Sequence, residues 1–456
     1  MSAATAPTTS DDLLALADRV VDQAVDGEQI EVVVGRGRTT DVRVYEGEIE
    51  QLQSAESQGF GIRVVADHRQ GFAYAGSLDE SVLAETLAEA RDNAKFGSPD
   101  EHLGLAEPDG VPVPELDLYR PELADTPTPD KVALAMELER AVRAADPRIT
   151  GAESVDYGDV LAEGCVVTNT GIRTASRESG CYIGAYPLAA EGDETQTGFG
   201  FSVGRVLGDL DAEAAAREAA HRATRLLGAT KPRGGRMTVV LDPYVTAQLI
   251  GIIGGTLNGE SVLKGRSLFA DRLGEEVAAS LVTLIDDPTE PRAYSASETD
   301  GEGLAARRNV LIDGGVLRQF VHNTYTGRWS GAGSTGNAVR GGFRGVPGVG
   351  CLAVALQPGT RMQDELLAAV GDGLLVSSVS GLHSGVNPVS GDFSTGAQGL
   401  RISGGAVGEP LREFTIASTL QKMLQDVVEV GGDVEWLPMS ATGVSLVIRD
   451  VSVSGS

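Results

Sequence analysis

Between residues 30 and 76 the apolar residues recur at every second position, in EVVVGRG, TTDVRVYEGEIEQLQ, GFGIRVVA and RQGFAYAG. A period of two places alternate side chains on opposite faces of a pleated strand. Glycines punctuate the run, so it predicts consecutive strands joined by Gly-rich turns, a β-meander. The pattern returns at 150–205, where TNTGIRTAS, RESGCYIGAYPL and TGFGFSVGRV read as a second meander. Glycine is 59 of 456 residues, about 13% against a usual ~7%. It follows no three-residue period, which excludes a collagen-like chain and fits tight turns and bulges.

Helical patterns separate the strand blocks. Ser10 is placed to cap a helix with Leu13, Leu14, Ala17, Val20, Val21 and Ala24 on one stripe. Ser77 and Glu80 have capping-box spacing before a helix carrying Leu83, Leu87, Ala90 and Ala94, which stops at Gly97. Residues 98–128 read as a connection. Thr128-Pro129 predicts a helix with Thr as N-cap, ending near Pro147. An alanine-rich helix spans 211–227. KPRGGR, residues 231–236, is the linker candidate. Strand MTVVLD follows, and Asp242-Pro243 opens a helix toward Gly254-Gly255. Strands are expected at VTLIDD, RRNVLIDGGVLRQFVHNTY, GCLAVAL and GLLVSSVSG. Ile416, Leu420, Met423, Leu424, Val427 and Val428 read as one helical stripe, before a last strand GVSLVIRDVSV. Strands and helices come in blocks, which predicts an α+β fold with antiparallel sheets. The expected organisation is an N-terminal α+β region (1–230), a linker (231–236) and a C-terminal α+β domain (237–456).

Charge narrows the function classes. Lys+Arg 37 against Asp+Glu 65 leaves −28. Such a chain repels phosphate, which disfavours nucleic acid and anionic membranes as partners. Cys165, Cys181 and Cys351 are odd in number and form no C-x-x-C, which fits a reducing cytoplasm. The segment MSAATAPTTSDD lacks a signal-peptide pattern. Apolar runs such as Leu249 to Ile253 fall far short of the ~20 residues that span a bilayer.

No phosphate-binding loop and no H-E-x-x-H occurs. The histidines, His68, His102, His221, His322 and His383, share no helical ligand spacing. Residues 381–399, read as a Gly-studded hairpin, hold His383, Ser384, Ser390, Asp392 and Ser394. A triad needs Ser, His and a carboxylate at one point, but no G-x-S-x-G elbow is present, and such Ser and Asp more often satisfy turns. Residues 327–350 contain nine glycines and Arg328, Arg340 and Arg344. They read either as a mobile surface loop or as a lining where glycines admit another backbone and arginines meet carboxylates or carbonyls. Arg328, Arg340, Arg344, His383, Ser390, Asp392 and Ser394 are the candidate substrate contacts.

Three blocks in order resemble one family. They are VYEGEIEQLQSAESQGFGIRVVADHRQGFAYAG; then SETDGEGLAARRNVLIDGGVLRQFVHNTYTGR with STGNAVR; then SGLHSGVNPVSGDFSTGAQGLRISGG and its continuation to GGDVEW. From about residue 30 to 454 the chain resembles the TldD/PmbA family, and within it the TldE (PmbA) branch. That resemblance implies a two-part α+β architecture. It implies a heterodimeric zinc metalloprotease of the cytoplasm that trims unfolded or short peptides, including leader peptides and antitoxins. In the TldD branch H-E-x-x-x-H on a helix and a C-terminal Cys hold zinc, and the Glu is general base. The shared tail KGRSLF sets the register here. The two His positions are then Ile250 and Gly255, the Glu position is Gly251, and PMSATGVSLVIRD has no Cys. The resemblance thus implies no catalytic residue and no metal in this chain. Zinc is expected in a TldD-like partner, this chain forming part of the channel for an extended peptide. The alternatives are a non-catalytic homo-oligomeric peptide-binding or scaffold protein, and a metal-independent hydrolase using 381–399.

Overall fold

A computed structural model describes residues 10–455. The segment MSAATAPTT, the start of the stretch read for a signal peptide, lies outside the described residues. The N-terminal half is built on one antiparallel sheet. Its strands are β1 (Glu28–Tyr45), β2 (Glu48–Ala66), β3 (Arg69–Ala75), β4 (Ile149–Thr168), β5 (Arg173–Glu191), β6 (Glu194–Thr197) and β7 (Gly200–Gly204). They lie in the order β3-β2-β1-β4-β5-β6, with β7 also on β5. The two meanders therefore join edge to edge through β1 and β4.

Helices cover one face of this sheet. They are α1 (Ser10–Val21), α2 (Glu80–Phe96), α3 (Pro121–Asp125), α4 (Thr128–Ala145) and α5 (Ala212–Thr224). Ile30, Val32, Val34, Phe60, Ile62 and Val64 pack with α1 and α2. Val42, Val44, Val155 and Tyr157 pack with α4 and α5. Each such aliphatic side chain contributes about 1.5–3 kcal/mol when fully buried. The other face looks toward the C-terminal half.

That half begins with β8 (Gly235–Leu241) and α6 (Pro243–Thr256). Asp242 accepts a hydrogen bond from Tyr244 N, which satisfies an orphan N–H at the start of α6. β8 pairs in parallel with Gly373–Ser380 and antiparallel with Leu446–Ser454. Asp392–Ser403 and Ala406–Thr419 extend this sheet, and Ala406–Thr419 also pairs with Leu446–Ser454. Five strands thus close into a ring. The mixed, mainly antiparallel architecture is the expected α+β class. No helix among the described residues is long and apolar enough to cross a membrane.

Several local expectations fail for identifiable reasons. Gly35, Gly37, Gly59 and Gly61 lie inside β1 and β2, not in turns, so four expected strands merge into three. The β1–β2 turn is at Glu46 and Gly47, which both have positive φ, as a tight hairpin requires. Ser77 forms no capping box. Its Oγ accepts from Asp79 N, and Asp79 is the N-cap. Thr128 lies inside α4, behind Pro127. The C-terminal stripe is no single helix, because Ile416 and Val427 belong to strands flanking the short helix Leu420–Gln425. Three of its apolar residues still share one core with those neighbours, so the period of burial survived while the backbone changed. The 381–399 hairpin is instead a helical turn, Leu382–Gly385, and a loop entering a long strand at Asp392.

Candidate functional site: a cleft between the sheet and the C-terminal half

The uncovered sheet face and the C-terminal half enclose a cleft of about 860 Å³. Its floor comes from facing strands. Gly35 pairs with Gly164 and Gly37 with Ala162, and β5 sets Ser176 and Glu178 opposite Gly164 and Ala162. Apart from Glu178 these residues are small, so backbone lies near the cleft surface. The opposite wall includes Ser297–Gly301, Ala338–Arg344, Leu352 and Ser440.

Phe343 sets the closeness of the two halves. Its ring and carbonyl occupy the space that side chains at residues 59 and 61 would need. A Cβ on Gly61 would lie 2.1 Å from Phe343 O, and one on Gly59 2.2 Å from Ala75 O and 2.5 Å from Phe343 Cε2. Glycine is required there for close approach, which is why the strand pattern contains it.

A buried charge cluster lies behind the wall at Arg340 and Asp300. Arg63 Nη2 donates to Glu31 Oε2 at 2.7 Å, and Arg340 Nη2 to Glu31 Oε1 at 2.5 Å. Glu302 lies 3.6 Å from Arg63 and accepts from Thr324 N. Burial pushes the Glu31 carboxyl up, but Arg340 and Arg63 outweigh it and hold the group below the usual range. Asp300 accepts from the N–H groups of Glu302, Leu304 and Ala338, yet burial and then Glu302 push it up to about 7.

Other charges face the cleft itself. Glu163 holds Arg36 at 2.8 Å and Arg177 at 2.7 Å. Glu178 is reached by water, yet surrounding protein raises its pKa, opposed by Arg205.

The expected contacts divide. Arg340 and Arg344 line the cleft. The Arg340 guanidinium is spent on Glu31, Gly301 O and Gly345 O, with its side chain only 5% exposed, so it secures the wall and is not presented to a peptide. Arg344 is exposed beside the Phe343 ring. Arg328 donates to Leu105 O and thereby pins the 98–128 connection. Residues 327–350 are thus largely a fixed structural segment. His383, Ser390, Asp392 and Ser394 are exposed and none lines the cleft. Ser390 Oγ donates to Asp392 Oδ2 at 2.7 Å, and Asn387 Oδ1 accepts from Val389 N and Ser390 N, a turn arrangement. His383 has no hydrogen bond or ion pair among the described residues, so these side chains form no triad. Sequence reading missed Glu31, Arg63, Asp300, Glu302, Glu163, Arg177 and Glu178. The available signal was Glu31 inside an otherwise apolar run.

Three family models match the chain. They are described as PmbA/TldA metallopeptidase domain 1 at residues 30–94, the central domain at 121–227 and the C-terminal domain at 234–455. The chain belongs to the PmbA/TldD family. It is 26% identical over 430 residues to metalloprotease PmbA of Escherichia coli O157:H7, covering 93% of this chain and 92% of that one. It is 24% identical over 426 residues to a metalloprotease TldD homolog of Haemophilus influenzae, covering 88% and 87%. The crystal structure of TldE from Thermococcus kodakarensis superposes with a TM-score of 0.87 at 25% identity, covering 98% of this chain and 100% of that one.

The PmbA/TldD resemblance places its metal motif on α6, and the residues there do not fit zinc. Ile250 is a buried hydrocarbon side chain in the C-terminal core. Gly251 and Gly255 offer no donor and lie exposed one helical turn apart. Beside Gly251 stands Ala441, whose Cβ is 4.0 Å from where a Cβ at Gly251 would be. Cys351 donates weakly to Gly254 O at 3.6 Å, and burial raises its thiol well above the ordinary value, which disfavours the thiolate a metal takes. Among the described residues no three His, Cys, Asp or Glu are grouped to hold a metal.

Proposed function

We propose that this chain is the metal-free subunit of a cytoplasmic TldD/TldE-type peptidase complex. A TldD-like partner supplies zinc and the general base. This chain supplies part of the wall that holds an unfolded or short peptide in extended form. The observation that carries the reading is α6: a helix in the family's register for metal ligands, presenting an exposed glycine face instead of donors. The cleft supports it, because a floor of Gly35, Gly37, Gly164 and Ala162 leaves room for another backbone. No chemical step is assigned to this chain.

The test is reconstitution with a TldD-type chain from the same genome. The pair is expected to cleave an unstructured peptide and to lose activity to a chelator, with zinc in the partner alone. Stoichiometric zinc in this chain alone, or chelator-resistant cleavage by it, would overturn the reading. Self-association with peptide binding, and no complex with the partner, would replace it with a homo-oligomeric scaffold.

A further inference from the structure

β2 has neighbours on both edges only in its second half. β3 pairs with Phe60–Ala66 and stops. From Glu48 to Gln58, among the described residues, only β1 is bonded to β2, and every residue of this stretch is exposed. Its outer edge is a row of backbone N–H and C=O groups about 36 Å long, at ~3.3 Å per residue. Proteins usually blunt such an edge with Pro, Lys, a bulge or a short strand. This segment, EIEQLQSAESQ, contains neither Pro nor Lys, and its one irregularity is a bulge at Glu50, which leaves Gln51–Gln58 regular.

Two features define what fits the edge. The first is apolar. Ile49 and Leu52 sit opposite Val44 and Val42, whose side chains are buried in the core shared with α4. Ile49 and Leu52 share that face but lie beyond the helix, 45% and 48% exposed. Covering them takes a strand that brings its own apolar row and its own backing layer. A folded subunit has both, and an unstructured peptide has no backing layer.

The second feature is charge. Antiparallel pairing of two copies of this edge about Glu50 sets Glu50 opposite itself. Pairing about Leu52 sets Glu48 opposite Glu56, and about Gln53 it sets Glu50 opposite Glu56. Like charges directly opposite destabilise a strand pair. The glutamates therefore disfavour these registers with a second copy of this chain, including the one about Gln53 that overlaps the whole stretch, while leaving the edge open to a strand with neutral or basic residues at those places.

We propose that the free edge Glu48–Gln58 of β2 is the docking strand for an amphipathic strand of a non-identical folded subunit. The proposal rests on the heteromeric reading above and names the surface that makes it.

Hydrogen–deuterium exchange on the full chain tests it. The probes are a TldD-type chain from the same genome, an unstructured peptide, and the chain alone at rising concentration. Amides within 48–58 are expected to exchange at least about tenfold more slowly in the complex, and to be unchanged in the other two samples. Leu52→Glu, at an exposed position, is expected to leave the melting of the isolated chain unchanged and to weaken the complex at least tenfold. A stable complex with 48–58 unprotected, or undiminished by Leu52→Glu, would overturn the proposal and leave the heteromeric reading standing. Protection by peptide alone or by concentration alone would assign the edge to substrate or to a second copy, overturning it. Failure of any complex to form would overturn both.

Discussion

Arg340 and Glu31 stand 309 residues apart and meet in a buried ion pair of 2.5 Å. The pair joins the first strand of the N-terminal sheet to the wall of the cleft. Glu31 also holds Arg63, so the two partners are not equivalent. Removing one member of a buried pair leaves an uncompensated charge and costs roughly 3–5 kcal/mol. Glu31→Ala leaves Arg340 without a carboxylate and Arg63 with Glu302 alone, and is expected to fall in that range. Arg340→Ala is expected to cost less, because Glu31 keeps Arg63. Urea unfolding of both variants checks the order, and equal losses would contradict the asymmetry.

Stability is expected to fall as pH rises from about 4 to 7 through Asp300. Its pKa goes from 3.8 to about 7 on folding. Between those values the folded state binds more protons than the unfolded one, so rising pH disfavours folding. The contribution is full below the unfolded value and gone above the folded one. Glu435, pushed up to about 7 by burial and then by Asp242, acts with the same sign. Glu31 acts oppositely and loses its contribution only in acid. Melting temperature against pH, compared between the native chain and Asp300→Asn, is expected to show a reduced slope between about pH 4 and 7 in the variant. An unchanged slope would clear Asp300 of the effect.

Gly61→Ala is expected to damage the junction of the two halves. Its Cβ would sit 2.1 Å from the backbone oxygen of Phe343, which can move only with its loop. Overpacking of this kind costs about 1–3 kcal/mol. Gly151→Ala is the control, since nothing lies within 4 Å of its Cβ. Thermal melts should separate the two, and equal stability would show that the loop yields freely.

Gly251→Ala is expected to raise the stability of the isolated chain by about 0.5–1 kcal/mol, as an exposed helix interior gains from alanine. The nearest atom to the new Cβ, on Ala441, is at ordinary contact distance. A lower melting temperature would mean that the face of α6 is not open.

The fold was readable where burial alternates cleanly. Val42, Val44, Ile62 and Val64 follow a strict period of two and lie in strands. Leu83, Leu87, Ala90 and Ala94 keep their helical face. The pattern misled where a residue's reason is tertiary. Gly59 and Gly61 read as turn formers because Phe343, far along the chain, supplies the contact that requires them. Ile416 and Val427 fit a helical period because one core buries a strand, a short helix and another strand together. The cleft was hardest to read. Its floor is largely residues with little side chain, and its charges come from β1, from β4–β5 and from residues 300–344, which only strand pairing together with packing of the two halves assembles.

That pairing also sets a timetable. Arg36 of β1 meets Glu163 of β4 across 127 residues. At a synthesis rate of ~5–20 residues per second, the first meander waits about 6–25 s for its neighbour. During that interval the inner edge of β1 faces the cell unpaired, so nascent chains halted before residue 149 should depend on chaperones more than those extended past 204, where β4 and β5 also have their partners.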